Sequence, residues 1–170
     1  MNMEAGPALA SEDDENIGDV YLTFQVGGET YAVGVEFVTE IVRVPEISAM
    51  PEMSKAFRGL INLRGHVIPI LDMQVRFGLA AIDTTDRTVI IVIETESSRV
   101  GLMVPEVAEV REIAPDDISS ARRELSHSTR DSRLVKGFNQ RGSRVCMILD
   151  VARLLEQAED GPSNATETEQ

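Results

Sequence analysis

The chain has 170 residues, room for one compact domain or two very small ones, and its 29 acidic residues against 16 Lys and Arg give a formal charge of −13. That balance, with 4% aromatics and no Trp, excludes a nucleic-acid binder built on a basic face and stacked bases. The single Cys146 excludes a disulfide framework, and the longest aliphatic run, 89–93, is far short of the roughly 20 residues of a membrane span.

Residues 1–19 carry Glu4, Glu12, Asp13, Asp14, Glu15 and Asp19 with no Lys or Arg, and they are poor in large apolar side chains. Such a segment cannot offset the entropy of ordering, so a disordered acidic tail is expected. It has neither a basic n-region nor an apolar h-region, so no signal peptide is expected and the expected location is cytoplasmic. From residue 20 the pattern is short strands between turn residues: 20–26, then Gly27-Gly28, then 30–35, 60–63, 67–71, 88–93, 99–104 and 145–149. This spacing points to an all-β sandwich or barrel. Residues 156–170 form a second acidic tail, so the part between the tails, 20–155, is close to neutral.

The folded part repeats itself. Residues 20–44 lie over 89–113 without a gap, with Val20, Val35 and Glu40 on Val89, Val104 and Glu109. Residues 59–77 lie over 137–155, with Gly59, Val67, Ile70, Leu71 and Asp72 on Gly137, Val145, Ile148, Leu149 and Asp150. The second copy is longer by nine residues, which fall in the polar stretch 114–133. Each copy then holds a hairpin, a short apolar stretch, a second hairpin and an Asp before an apolar-periodic turn. Asp72 and Asp150 read as helix N-caps, because a carboxylate there accepts from the free N–H groups of the first turn. Two barrels of roughly 65 residues would each be marginal alone. They are expected to share apolar surface, with a soft boundary near Asp83 (20–83 and 84–155) and strands free to cross it.

No catalytic constellation is visible. His66 adjoins a turn, His127 lies in the polar loop, and neither has a Cys or carboxylate at metal-ligand spacing. Cys146 sits in an apolar strand as a small hydrophobe. No phosphate-binding glycine loop is present. No enzyme activity, cofactor or metal is expected.

The feature that breaks the duplication is Asn62-Leu63-Arg64-Gly65-His66-Val67-Ile68-Pro69-Ile70-Leu71-Asp72, whose Asn-Leu-Arg-Gly turn and Pro have no counterpart in the second copy. Gly65 permits the turn, and Pro69 marks a strand edge or bulge. This run resembles the signature of the CheW family, the bacterial chemotaxis coupling proteins. Residues 24–33, 38–41, 88–92, 99–104, Gly137 and 147–150 fit the same family, so the resemblance spans 20–155. It implies two packed SH3-like, five-stranded β-barrels with short helices. It also implies a non-enzymatic scaffold that links the cytoplasmic tips of methyl-accepting chemoreceptors to the regulatory domain of the histidine kinase CheA. CheW-like domains alternate with that regulatory domain in rings beneath membrane-associated receptor arrays. No membrane insertion and no nucleic acid are expected. By resemblance the receptor tip docks between the barrels on Val38, Glu40, Gly59, Arg64 and Val89, with Asn62, Leu63, Gly65, Pro69 and Asp72 supporting the motif. On this reading Val38 and Val89 offer apolar contact, Gly59 admits a helix to the backbone, and Glu40 holds the guanidinium of Arg64. The chain has no room for a receiver domain or kinase modules, which argues against a CheV-type fusion or a whole CheA. An adaptor of another receptor–kinase system, for pili or surface behaviour, and a small ligand-binding barrel are the alternatives.

Overall fold

The computed structural model describes residues 19–120 and 132–156. Residues 1–18 and 157–170 of the expected tails, and 121–131 of the polar loop with His127, lie outside the described residues. Ten strands are present: β1 Val20–Val26, β2 Glu29–Gly34, β3 Val38–Arg43, β4 Phe57–Leu63, β5 His66–Asp72, β6 Val89–Glu94, β7 Arg99–Val104, β8 Glu106–Glu112, β9 Val135–Arg141 and β10 Arg144–Leu149. A short helix, α1 (Met73–Arg76), follows β5, and residues 151–156 are helical after β10. The apolar stretch after the first hairpin of each copy is thus a full strand, β3 or β8. Both are edge strands with no fully buried position, and charged residues are interspersed among their apolar ones. Without a buried face, neither carries the aliphatic run that marks the other strands.

The strands form two five-stranded sheets, ordered β8-β1-β2-β10-β9 and β3-β6-β7-β5-β4. Each sheet draws on both sides of Asp83, so the sequence copies and the sheets are different units. Replacing every strand by its duplicate converts one order into the other. Even the parallel contact obeys the repeat: Ile148 pairs with Ala32 as Ile70 pairs with Gly101. Duplication therefore acted on a five-strand unit whose last three strands join the first hairpin of the other copy.

Each sheet closes on itself at its edges. Beyond β3 the chain reaches β4 through Ser48, which exchanges two backbone hydrogen bonds of 2.9 Å with Leu60. Beyond β8, Ser119 does the same with Phe138 on β9, at 2.8 and 2.9 Å. These seams turn the sheets into the β1 barrel and the β6 barrel.

Burial follows from period-2 strands with two buried faces. On β6, Ile90 and Val92 fill the interior of the β6 barrel with Ile61, Ile68 and Met103. The opposite face of β6, Ile91 and Ile93, enters a larger core between the barrels with Leu22, Phe24, Tyr31 and Leu102. Ala32, Cys146 and Ile148 fill the β1 barrel. Phe24, Tyr31 and Phe77 stack through the shared core at centroid spacings of 6.2 and 4.7 Å. Met73, Phe77, Leu154 and Leu155 bring both terminal helical turns into it. The aliphatic run 89–93 is thus a strand buried on both faces.

The two caps differ in weight. Asp150 Oδ1 accepts from the backbone N–H of Arg153 at 3.1 Å, which is the helix cap and little more. Asp72 is fully buried and accepts from the N–H groups of Gln74 and Val75 at 2.9 and 3.2 Å, from that of Ile82 at 3.0 Å, and from Arg58 Nη1 at 2.9 Å. It caps α1 and also ties the following loop and β4 to the end of β5.

Candidate functional site

The turn Asn62-Leu63-Arg64-Gly65 joins β4 to β5, with Leu63 opposite His66. Its two central residues both have positive φ, 54° at Arg64 and 86° at Gly65, the backbone twist of a two-residue hairpin turn. Asn62 Oδ1 accepts from the Gly65 N–H at 3.1 Å and fixes that turn. Arg64 is the only non-glycine residue with positive φ among the described residues. The turn thus holds a side chain, rather than a second glycine, at a backbone angle that costs about 1 kcal/mol.

From that position the Arg64 guanidinium reaches Glu40 on β3, Nη2 to Oε1 at 3.3 Å. β3 and β4 are opposite edges of the β6 sheet, so the ion pair bridges the barrel seam. Arg64 is 73% exposed and Glu40 26%, so the carboxylate is anchored and the guanidinium presented to solvent. A second pair, Arg99 Nη2 to Glu94 Oε2 at 2.8 Å, stands at the same end of the barrel, and His66 lines the same recess of about 210 Å³.

Pro69 shapes this end. Its partner Leu60 directs both backbone hydrogen bonds to Ser48, so Pro69 faces β4 at a position needing no N–H. On its other side, β5 pairs with β7 only from Ile70 onward, whereas the equivalent contact in the β1 barrel includes Cys146 and Met147. The proline removes the ladder near the mouth and leaves β5 and β7 unpaired there.

A bulge between Val38 and Glu40 decides which way β3 faces. Strict alternation would place Val38, Glu40 and Val42 on one face. Instead Glu40 pairs with Val92 and Val42 with Ile90, on the barrel side, while Val38 pairs with Ile93 and Ile41 with Ile91, on the side of the shared core. Val38 and Val89 pack against that shared core, and Ile41 between them is 44% exposed. Ile41 belongs to this apolar face and was missed in the sequence, because its parity relative to Val38 is set by the bulge.

The site residues thus separate into two neighbouring surfaces: the charged mouth with Glu40 and Arg64, and the apolar β3–β6 face with Val38, Ile41 and Val89. Gly59 belongs to neither. It is buried on β4 with φ 138°, and a Cβ there would collide with the Ser48 carbonyl. Its missing side chain admits the chain's own seam strand at Ser48. Gly137 plays the same part against Ser119. Leu63 lines the mouth, and Asp72 lies at the far end of β5 as a structural anchor.

Among the described residues no group of three or more His, Cys, Asp or Glu is arranged to hold a metal ion. No described helix is long and apolar enough to cross a membrane.

Comparison with known proteins matches residues 20–159 to the family model of the CheW-like domain. The chemotaxis protein CheW of Klebsiella aerogenes is 28% identical over 156 residues, covering 91% of this chain and 93% of that protein. The probable chemotaxis protein CheW of Rhizobium etli is 32% identical over 145 residues, covering 85% and 92%. Among solved structures, the scaffolding protein CheW of Thermoanaerobacter tengcongensis superposes with a TM-score of 0.71 at 28% identity, covering 79% of this chain and 85% of that one.

Proposed function

This chain belongs to the CheW-like domain family, and we infer from that membership that it is a chemotaxis coupling scaffold joining chemoreceptor cytoplasmic tips to the regulatory domain of a CheA histidine kinase. It acts without catalysis, in the cytoplasm, recruited to receptor arrays where it alternates with the kinase regulatory domain and other CheW-like domains. The observation that carries the placement of the receptor contact is the Glu40–Arg64 pair at 3.3 Å, beside the apolar face of Val38, Ile41 and Val89. A helical receptor tip lays apolar side chains on that face. It offers carbonyls or carboxylates to the guanidinium, which Glu40 holds in a defined orientation at low entropic cost. Gly59, Asn62, Gly65, Pro69 and Asp72 support the surface from beneath by closing the seam, setting the turn and anchoring β5.

The test is a co-sedimentation with receptor-bearing membranes and purified CheA from the same cells. Wild-type protein is expected to sediment with both. Arg64→Ala is expected to keep CheA and lose receptor, at an almost unchanged melting temperature. Wild type that captures neither partner overturns the coupling reading. Arg64→Ala that retains full receptor binding overturns the site.

A further inference from the structure

Duplication makes each barrel mouth the reference for the other, and the two mouths differ in charge. In the β6 barrel the acids and bases match, Glu40 with Arg64 and Glu94 with Arg99. At the equivalent positions of the β1 barrel, Glu40 is kept as Glu109 and Glu94 becomes Gln25, while Arg64 and Arg99 become Gly142 and Thr30 and Leu63 and His66 become Arg141 and Arg144. Arg111 is added on β8 and occupies Glu109, with Nε and Nη2 both 3.1 Å from its Oε2. Arg141 and Arg144 stand directly opposite each other in the β9–β10 register, and neither forms an ion pair among the described residues. Like charges paired across a ladder repel. They do so here at the rim of a cavity of about 450 Å³ with buried Thr23 and Cys146 beneath. The result is a local positive excess on a chain of formal charge −13.

We propose that the open end of the β1 barrel is a docking site for an acidic peptide segment of a partner protein, whose carboxylates are taken by Arg141 and Arg144. Charge complementarity selects the class of ligand. The recess is larger than a single small anion requires, and the exposed side chains of Val145 and Ala108 give its wall an apolar part for the residues between the carboxylates. No aromatic side chain lines it, so it lacks the stacking platform that single-stranded nucleic acid uses. A concave mouth also suits a chain segment better than a flat lipid surface. The inference does not rest on the coupling reading, since it uses a different barrel end and different residues.

The experiment is fluorescence anisotropy with the full chain and a labelled decapeptide of alternating Glu and Ala, against a Ser-Ala control of equal length. Arg141→Ser/Arg144→Ser is the test variant. Arg43→Ser/Lys55→Ser removes the same total charge from the other barrel. Binding of the acidic peptide is expected to weaken with added salt and to fall about tenfold in the test variant, the scale of two exposed charge contacts, with the control variant unchanged. Equal affinity in wild type and test variant overturns the site. Tighter association with phosphatidylglycerol vesicles than with the peptide, or displacement by equimolar inorganic phosphate, overturns the proposed occupant.

Discussion

Arg64 and Glu40 meet at 3.3 Å across the seam of the β6 barrel, one presented on a left-handed turn and the other held on an edge strand. An exposed pair of this kind contributes only about 0.2–1 kcal/mol to folding. Its replacement separates binding from stability. Arg64→Gly keeps the positive φ without its steric cost, so its melting temperature is expected within about 3 °C of wild type while receptor binding is lost. Glu40→Gln frees the guanidinium without removing it, and an intermediate loss of receptor affinity is expected. A double-mutant cycle on receptor binding checks that the two act as a pair, and strict additivity would refute the pairing.

The duplicated caps are expected to behave unequally. Asp150→Ala removes one cap bond and should cost about 1 kcal/mol. Asp72→Ala strands three backbone N–H groups and the Arg58 guanidinium around a buried site, and should cost about 3 kcal/mol or more. Urea titration of the two variants measures the difference, and equal costs would contradict the network around Asp72.

Gly59→Ala tests the seam. The new methyl collides with the Ser48 backbone, which cannot swing aside as a side chain would, so unfolding at ordinary temperature or a loss of about 3 kcal/mol or more is expected. Gly65→Ala has open space around its Cβ and pays only the backbone term, about 1 kcal/mol. If Gly59→Ala folds normally and fails only in receptor binding, Gly59 touches the partner after all.

Alkaline pH should weaken the fold through two groups. Burial raises the Cys146 thiol above its ordinary value of 9.0, with Glu109 adding to the shift and Arg111 opposing it. Burial also raises the Tyr21 hydroxyl above 10.0, reinforced by Asp19 and Glu36. In both, the folded state holds the proton longer than the unfolded chain. The stability they contribute is therefore fully present below about pH 9 and is lost as the pH climbs through the raised folded values. Thermal melts should show a decline above that pH, flattened in Cys146→Ala and in Tyr21→Phe. At pH 8 the native thiol should react with a disulfide reagent far more slowly than in the denatured chain.

Much of this molecule is written in local patterns. The strands 20–26, 67–71, 89–93 and 99–104 declare themselves because aliphatic side chains run through them, and β6 and its neighbours are buried on both faces. Asp72 and Asp150 announce helix starts through short-range hydrogen-bond chemistry. β3 and β8 did not declare themselves, since an edge strand with no buried position and interspersed charges resembles a polar connection. The Glu40–Arg64 contact was expected only through the family resemblance, and the exposed Ile41 was not expected at all.

The sequence by itself determined the duplication, the all-β character, the turn that carries Arg64 and the acidic composition of the two ends beside a nearly neutral middle, because each rests on periodicity or composition. Tertiary structure alone decided that the last three strands of each copy join the other copy's first hairpin, that Ser48 and Ser119 close the seams, that a bulge turns Glu40 away from Val38, and that Gly59 faces its own chain. Those outcomes depend on which distant strands hydrogen-bond and in what register, and a pattern of period two looks the same whichever partner it meets.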